Sequence, residues 1–363
     1  MVTRNIYFYP HTKLRDRQLD TIFKWPDDEV INKNDFCGKS GSQVSKSYAH
    51  AAKLKISWKQ QLPLLNIKMR PKRAPRDAIV YVWGGLILSG KFILDLDNPW
   101  ALVGYNLPAM RIYKKVIKRI LLSNRCIEIR CMSEACRNSL EVLFGRAVYN
   151  KATVVYPLMP QRIKAVPAKK TKNCNFLFIG TQFEIKGGEC LIKAFKRLYA
   201  TDNSVRLDLI THLPSHFTAD VTECPGIYLH EARIKREEIY SRFMARADVL
   251  VLPTFVESFG MVALEALAHG LALIVTDVYA LREIVINNQN GKLLDPPISV
   301  WDGVVPSIFH YDLPNIKDHI NKIDKAHFEV LLFEAMREYA LDANKLIAAR
   351  SKSIEIMNKK FLC

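Results

Sequence analysis

Short apolar runs alternate with longer helix-period segments along most of this chain, which is the pattern of a parallel α/β sheet with crossover helices. In the first half the strand candidates are Ile6 to Tyr9, Ala78 to Trp83, Phe92 to Leu94, Ile127 to Cys131 and Thr153 to Tyr156. Helical spacing falls between them, at Val44 to Gln61, Pro108 to Leu122 and Glu134 to Phe144. In the second half the strand candidates are Phe176 to Ile179, Arg206 to Ile210, Ile227 to His230, Val249 to Leu252 and Leu273 to Thr276. Its helices are expected over Gly188 to Tyr199, Lys235 to Arg246 and Met261 to His269. The stretch Pro157 to Asn173 holds three Pro and five Lys or Arg without periodicity and reads as an interdomain linker. At about 100–200 residues per domain, 363 residues hold two such units. The expectation is α/β, with two consecutive doubly wound domains at 1–166 and 167–325 and a helical tail at 326–363.

Composition narrows the class. Apolar residues make up 49% of the chain and charged ones 25%, enough for a core in each half and too little charge for a disordered chain. Every apolar run falls short of the roughly 20 residues of a membrane span, and the start MVTRNIYFYP has no signal-peptide pattern, so a cytoplasmic chain is expected. Cys126, Cys131 and Cys136 fall five apart, which is neither CxxC metal spacing nor a secreted disulfide framework. Charge is lopsided: residues 1–166 hold 29 Lys and Arg against 12 Asp and Glu, while 167–363 hold 24 of each. The whole excess lies in the first half, which points to a polyanionic or membrane-surface partner for that domain.

The segment Ala247 to Leu294 carries most of the chemistry. A strand ends in Pro253-Thr254, a loop presents Glu257-Ser258-Phe259-Gly260, and a helix with Glu265 follows. Free N–H groups of a helix start at the carboxyl end of a parallel sheet suit a diphosphate. Carboxylates there repel phosphate and accept hydrogen bonds from hydroxyls instead. This segment resembles the paired-glutamate motif (Glu, seven residues, Glu) of family-four retaining glycosyltransferases of the GT-B fold. The match also takes in SFG after Glu257, Ala268-His269-Gly270, Thr276-Asp277, Glu283-Ile284-Val285 and Asn290-Gly291. It implies two Rossmann-like domains facing a central cleft, a nucleotide diphosphate sugar as donor, Glu257 on its sugar and Glu265 on its ribose.

A second segment agrees. A strand leads into Gly180-Thr181 and on to Lys186-Gly187-Gly188 before a helix, a cradle in which glycines let the backbone approach phosphate and Lys adds a point charge. In the family the loop commonly carries an Arg after the first Gly. Lys186 matches the family Lys, but Thr181 stands in place of the Arg and leaves the diphosphate one cation short. The resemblance implies Lys186 and Glu257 as catalytic residues and backbone around Leu229 and His230 near the nucleotide base.

The first half resembles the family loosely. Cys37 to Ser42 reads either as a glycine-rich loop facing the donor or as a plain connection with Ser42 as N-cap. Asp95-Leu96-Asp97 after a strand matches the metal-holding triplet of GT-A transferases, yet Asn98-Pro99 also reads as a helix cap. Within GT-B, Asp95 and Asp97 would face the acceptor. Met110 to Arg125 reads either as a basic amphipathic helix whose Lys114, Lys115, Lys118 and Arg119 suit an anionic membrane surface or as an ordinary domain helix with a basic exposed face. The reading is a metal-independent, cofactor-free glycosyltransferase acting on a glycan or lipid-linked acceptor at the inner face of a membrane. Its rivals are a non-catalytic polyanion binder on a degenerate transferase fold and a GT-A-like metal enzyme. With no nucleic-acid motif in the chain, no nucleic-acid partner is expected.

Overall fold

The structure is a computed structural model that describes residues 4–11, 14–26, 29–39, 64–167 and 173–362. The expected helix over Val44 to Gln61 and the Ser40–Ser42 part of the glycine-rich loop lie outside the described residues. The chain divides into two compact units, Met1–Leu158 and Met159–Cys363.

The first unit is built on β1 (Ile6–Tyr9), α1 (Asp16–Lys24), β2 (Ile79–Trp83), β3 (Phe92–Leu96), α2 (Leu107–Leu122), β4 (Cys126–Cys131), α3 (Glu134–Phe144), α4 (Arg146–Lys151) and β5 (Ala152–Val154). Its five strands are parallel and lie in sequential order, β1 through β5. Side-chain caps start the long helices: Asn106 accepts from the Ala109 N–H and Ser133 from the Cys136 N–H. Helix α2 buries Met110, Ile117 and Leu121 and turns its basic face outward, with Lys114, Lys115, Lys118 and Arg119 all exposed. An aromatic layer of Phe8, Trp25, Tyr81 and Trp83 lies between the sheet and α1.

The second unit comprises β6 (Asn175–Gly180), α5 (Gly188–Thr201), β7 (Arg206–Thr211), β8 (Ile227–His230), β9 (Val249–Leu252), α6 (Met261–Ala268), β10 (Ala272–Thr276), β11 (Gly291–Leu294), α7 (Ile316–Lys322), α8 (Ala326–Leu341) and α9 (Ala343–Ile356). Its sheet has the order β8-β7-β6-β9-β10-β11, all parallel. The chain moves outward from β6 to β8, then returns to lay β9 on the other side of β6. Such a reversal is a topological switch point, where the loops at the carboxyl ends part to opposite faces.

The closing helices belong to this unit. Helix α8 packs on α5, and α9 lies against β10 and α6. Arg350 of α9 is buried, pairs with Asp248 at 2.7 Å and donates to the Gly270 carbonyl at 2.9 Å. Asp248 in turn accepts from the Asn175 N–H, which ties α9 to the start of β6.

The structure departs from the sequence reading at several elements. Helices α1, α4 and α7 and strand β11 are additional, and the expected helix Lys235 to Arg246 is a short turn, Arg236–Glu238, followed by a π-helix over Ile239–Met244. Among the described residues no helix is long and apolar enough to cross a membrane.

Candidate functional site

The loops after β6 and β9 leave the two strands that flank the switch point, and they are stitched together. The Phe255 N–H donates to the Ile185 carbonyl at 3.0 Å. Gly187, with φ of +74°, sits so close to Pro253 that a Cβ there would lie 2.1 Å from the Pro253 carbonyl oxygen. Only glycine fits that combination of left-handed backbone and close approach. Lys186 therefore reaches across, donating to the Val256 carbonyl and to Glu257 Oε2, both at 2.9 Å. Its stem passes over Gly180, whose carbonyl accepts from the Thr211 hydroxyl.

Glu257 is fixed from several sides. Its Oε1 accepts from the Ser258 N–H at 3.0 Å, and its carbonyl accepts from the Trp301 indole at 3.1 Å. Trp301 itself stacks on Tyr279 with ring centroids 4.3 Å apart. Burial works to raise the Glu257 carboxyl, but Lys186 and the N–H groups of Ser258 and Phe259 outweigh it and hold the group below the usual carboxylate range. The loop closes at Gly260, φ +92°, packed on Leu281 with Phe259 buried beside it, and α6 begins at the next residue.

Glu265, just over one turn into α6, joins a different set. Its Oε1 accepts from the Tyr240 hydroxyl at 2.8 Å and from Arg236 Nε at 3.1 Å. Burial and the neighbouring Glu265 carboxylate push the Tyr240 phenol up, so it stays a donor. Arg236 and Tyr240 follow the Leu229–His230 strand end, Arg236 on the short turn and Tyr240 on the π-helix after it. His230 is turned to Asp208, its Nε2 2.7 Å from Oδ1, while Leu229 stays exposed. The structure thus brings Lys186, Gly187, Glu257 and Ser258 together and assigns Glu265 and His230 to separate networks.

The acidic triplet lies in the first unit. Asp95 is 7% exposed, accepts from the Tyr81 hydroxyl at 2.6 Å and pairs with Arg17 at 3.2 Å. Asp97 accepts from the Asn98 N–H, and Asn98 caps the following turn through the Trp100 N–H. Among the described residues no group of three or more His, Cys, Asp or Glu is gathered to hold a metal ion.

The profile of "Glycosyl transferases group 1" matches residues 173–302, the stretch that contains both loops and both glutamates. Residues 173–302 form a glycosyl transferases group 1 domain. A D-inositol 3-phosphate glycosyltransferase of Paenarthrobacter aurescens (strain TC1) is 26% identical over 186 residues, 48% of this chain and 45% of the relative. The chain spans less than half the length of such curated relatives. WaaG, a glycosyltransferase involved in lipopolysaccharide biosynthesis, matches in structure with a TM-score of 0.57 at 15% identity, over 98% of this chain and 96% of that one. Anabaena Alr3699/HepE, solved in complex with UDP, matches with a TM-score of 0.53 at 14% identity, over 78% of this chain and 74% of that one. The group 1 domain and these neighbours make the fold class GT-B.

Proposed function

We propose that this protein is a retaining, metal-independent glycosyltransferase that moves a sugar from a nucleotide diphosphate sugar to a glycan or lipid-linked acceptor. The observation that carries the reading is the meeting of Lys186 and Glu257 at 2.9 Å where the loops part beside the switch point. Lys186 supplies charge for the departing diphosphate, and the N–H groups that open α6 add to it. Glu257 and Glu265, both already acceptors, take hydrogen bonds from sugar and ribose hydroxyls. For attack on the leaving-group face, the departing phosphate takes the acceptor's proton, as the resemblance implies. The UDP in the HepE complex supports a uridine nucleotide as first probe.

Acceptor recognition falls to the basic first unit. Helix α2, with Lys114, Lys115, Lys118 and Arg119 around an exposed Ile112, is proposed to lie on an anionic membrane at the cytoplasmic face. A melting screen against UDP and nucleotide sugars tests the donor reading. A ligand at 100 times its Kd adds about 2.7 kcal/mol, a rise of roughly 5–10 °C for a unit of this size. If no nucleotide or nucleotide sugar moves the transition, the proposal is wrong.

A further inference from the structure

The amino ends of the first unit's strands form a surface that the donor reading does not use. Residues 68–76 read KMRPKRAPR, five basic residues in nine. Arg70 folds this stretch over itself, its Nη2 donating to the carbonyls of Pro75 and Ala78, so that Lys72, Arg73 and Arg76 stand exposed on the outside. Exposed Lys91 and Arg125 lie at the same edge, directly before β3 and β4, where the Phe92 N–H donates to the Arg125 carbonyl at 2.8 Å.

Apolar side chains stand among these charges. Ile67–Lys68 pairs in parallel with Leu86–Ile87, and the same register carried one step further sets Met69 beside Leu88. Met69 is 81% exposed, Ile67 45% and Leu88 44%. Arg125 donates to the Leu88 carbonyl, which joins the apolar group to the basic one.

We propose that this edge contacts an anionic lipid bilayer, with Met69, Ile67 and Leu88 entering the headgroup region and Lys72, Arg73, Arg76, Lys91 and Arg125 on lipid phosphates. It extends the membrane contact proposed for α2 to a different set of residues. A nucleic acid would satisfy the cations and leave the apolar group in water, whereas a bilayer takes up both.

The test is flotation with vesicles of phosphatidylcholine and phosphatidylglycerol at low salt, against pure phosphatidylcholine. The triple variant K72S/R73S/R76S is expected to lose on the order of 100-fold in partitioning. Met69→Ser should lose roughly ten-fold on vesicles and nothing on single-stranded RNA, while Met69→Leu keeps wild-type partitioning. Melting temperature and UDP affinity should stay unchanged in all three, so a failed donor reading shows separately. The variant K114S/K115S/K118S/R119S reports on α2 alone. Wild-type vesicle binding by the triple variant or by Met69→Ser overturns the proposal. So does a wild-type protein that binds RNA and leaves the vesicles unbound.

Discussion

The two sheets use similar parallel, apolar strands and differ in the order in which the chain lays them down. In the second unit the order reverses between β6 and β9, and the loops on either side of the reversal bring Lys186 to Glu257. In the first unit the described strands run in sequence from β1 to β5 with no reversal among them. There too a carboxylate at a strand end meets a cation, Asp95 with Arg17, but α1 covers the pair and Tyr81 takes the second oxygen. The same two charges make an internal tie in one unit and a candidate binding site in the other. What separates them is whether the neighbouring loops part.

Removing a buried tie sharpens this comparison most. Arg350→Ala leaves Asp248 buried without its partner, which costs about 3–5 kcal/mol. Hydrogen exchange should show protection falling in β6 to β11 and holding in β1 to β5. An equal fall in both sheets would break the division into two units.

Next is the cation at the reversal. Lys186→Ala should weaken UDP by about 10–150-fold, the equivalent of roughly 1.5–3 kcal/mol for a hydrogen bond to a charged group, as read by titration calorimetry. Arg17→Met, which breaks the corresponding pair in the first unit, should leave that affinity alone. The contrast fails if both variants bind UDP equally.

A pH effect is expected in the second unit. Burial pushes the His310 imidazole, packed on Trp301, down to about 4 from its ordinary 6.5. The unfolded chain therefore binds the proton first, so stability present above pH 6.5 is lost as pH falls through 6.5 toward 4. Between pH 6.5 and 5 the loss is about 2 kcal/mol. His310→Phe should flatten that slope for β6 to β11 and leave β1 to β5 unchanged.

The smallest expected change is a gain. Thr181→Arg supplies the cation that the resemblance implies here and should tighten UDP by roughly 0.5–1.5 kcal/mol, about 2- to 13-fold in affinity. No gain would mean that this loop does not face the phosphates.

Sequence patterning located most strands of both sheets, because fully apolar runs such as VLVL in β9 have no other stable place. It missed β11, whose four residues, GKLL, open on a glycine and are too few to show a period. There glycine serves close packing, since a Cβ would lie 2.1 Å from the Leu273 carbonyl oxygen. It missed α1 because only Leu19 and Ile22 of its nine residues are buried, too few to show a period. In the site, the spacing of Glu257 and Glu265 was legible from the chain alone. Their partners were not: Lys186 meets Glu257 through a backbone contact at Gly187, and Arg236 and Tyr240 reach Glu265 from a short turn and the π-helix that follows it.

The Lys186–Glu257 pair also has a consequence for which anions can enter. On the proposed reading, an arriving phosphate must displace a carboxylate tethered beside the ammonium, whose effective concentration is on the order of millimolar or higher. Inorganic phosphate and other small ions bring nothing to offset that competition. A nucleotide sugar does, through its base, ribose and hexose, and the displaced carboxylate stays alongside to accept a sugar hydroxyl. The pair is a built-in competitor that converts attraction for any anion into preference for one with a sugar attached.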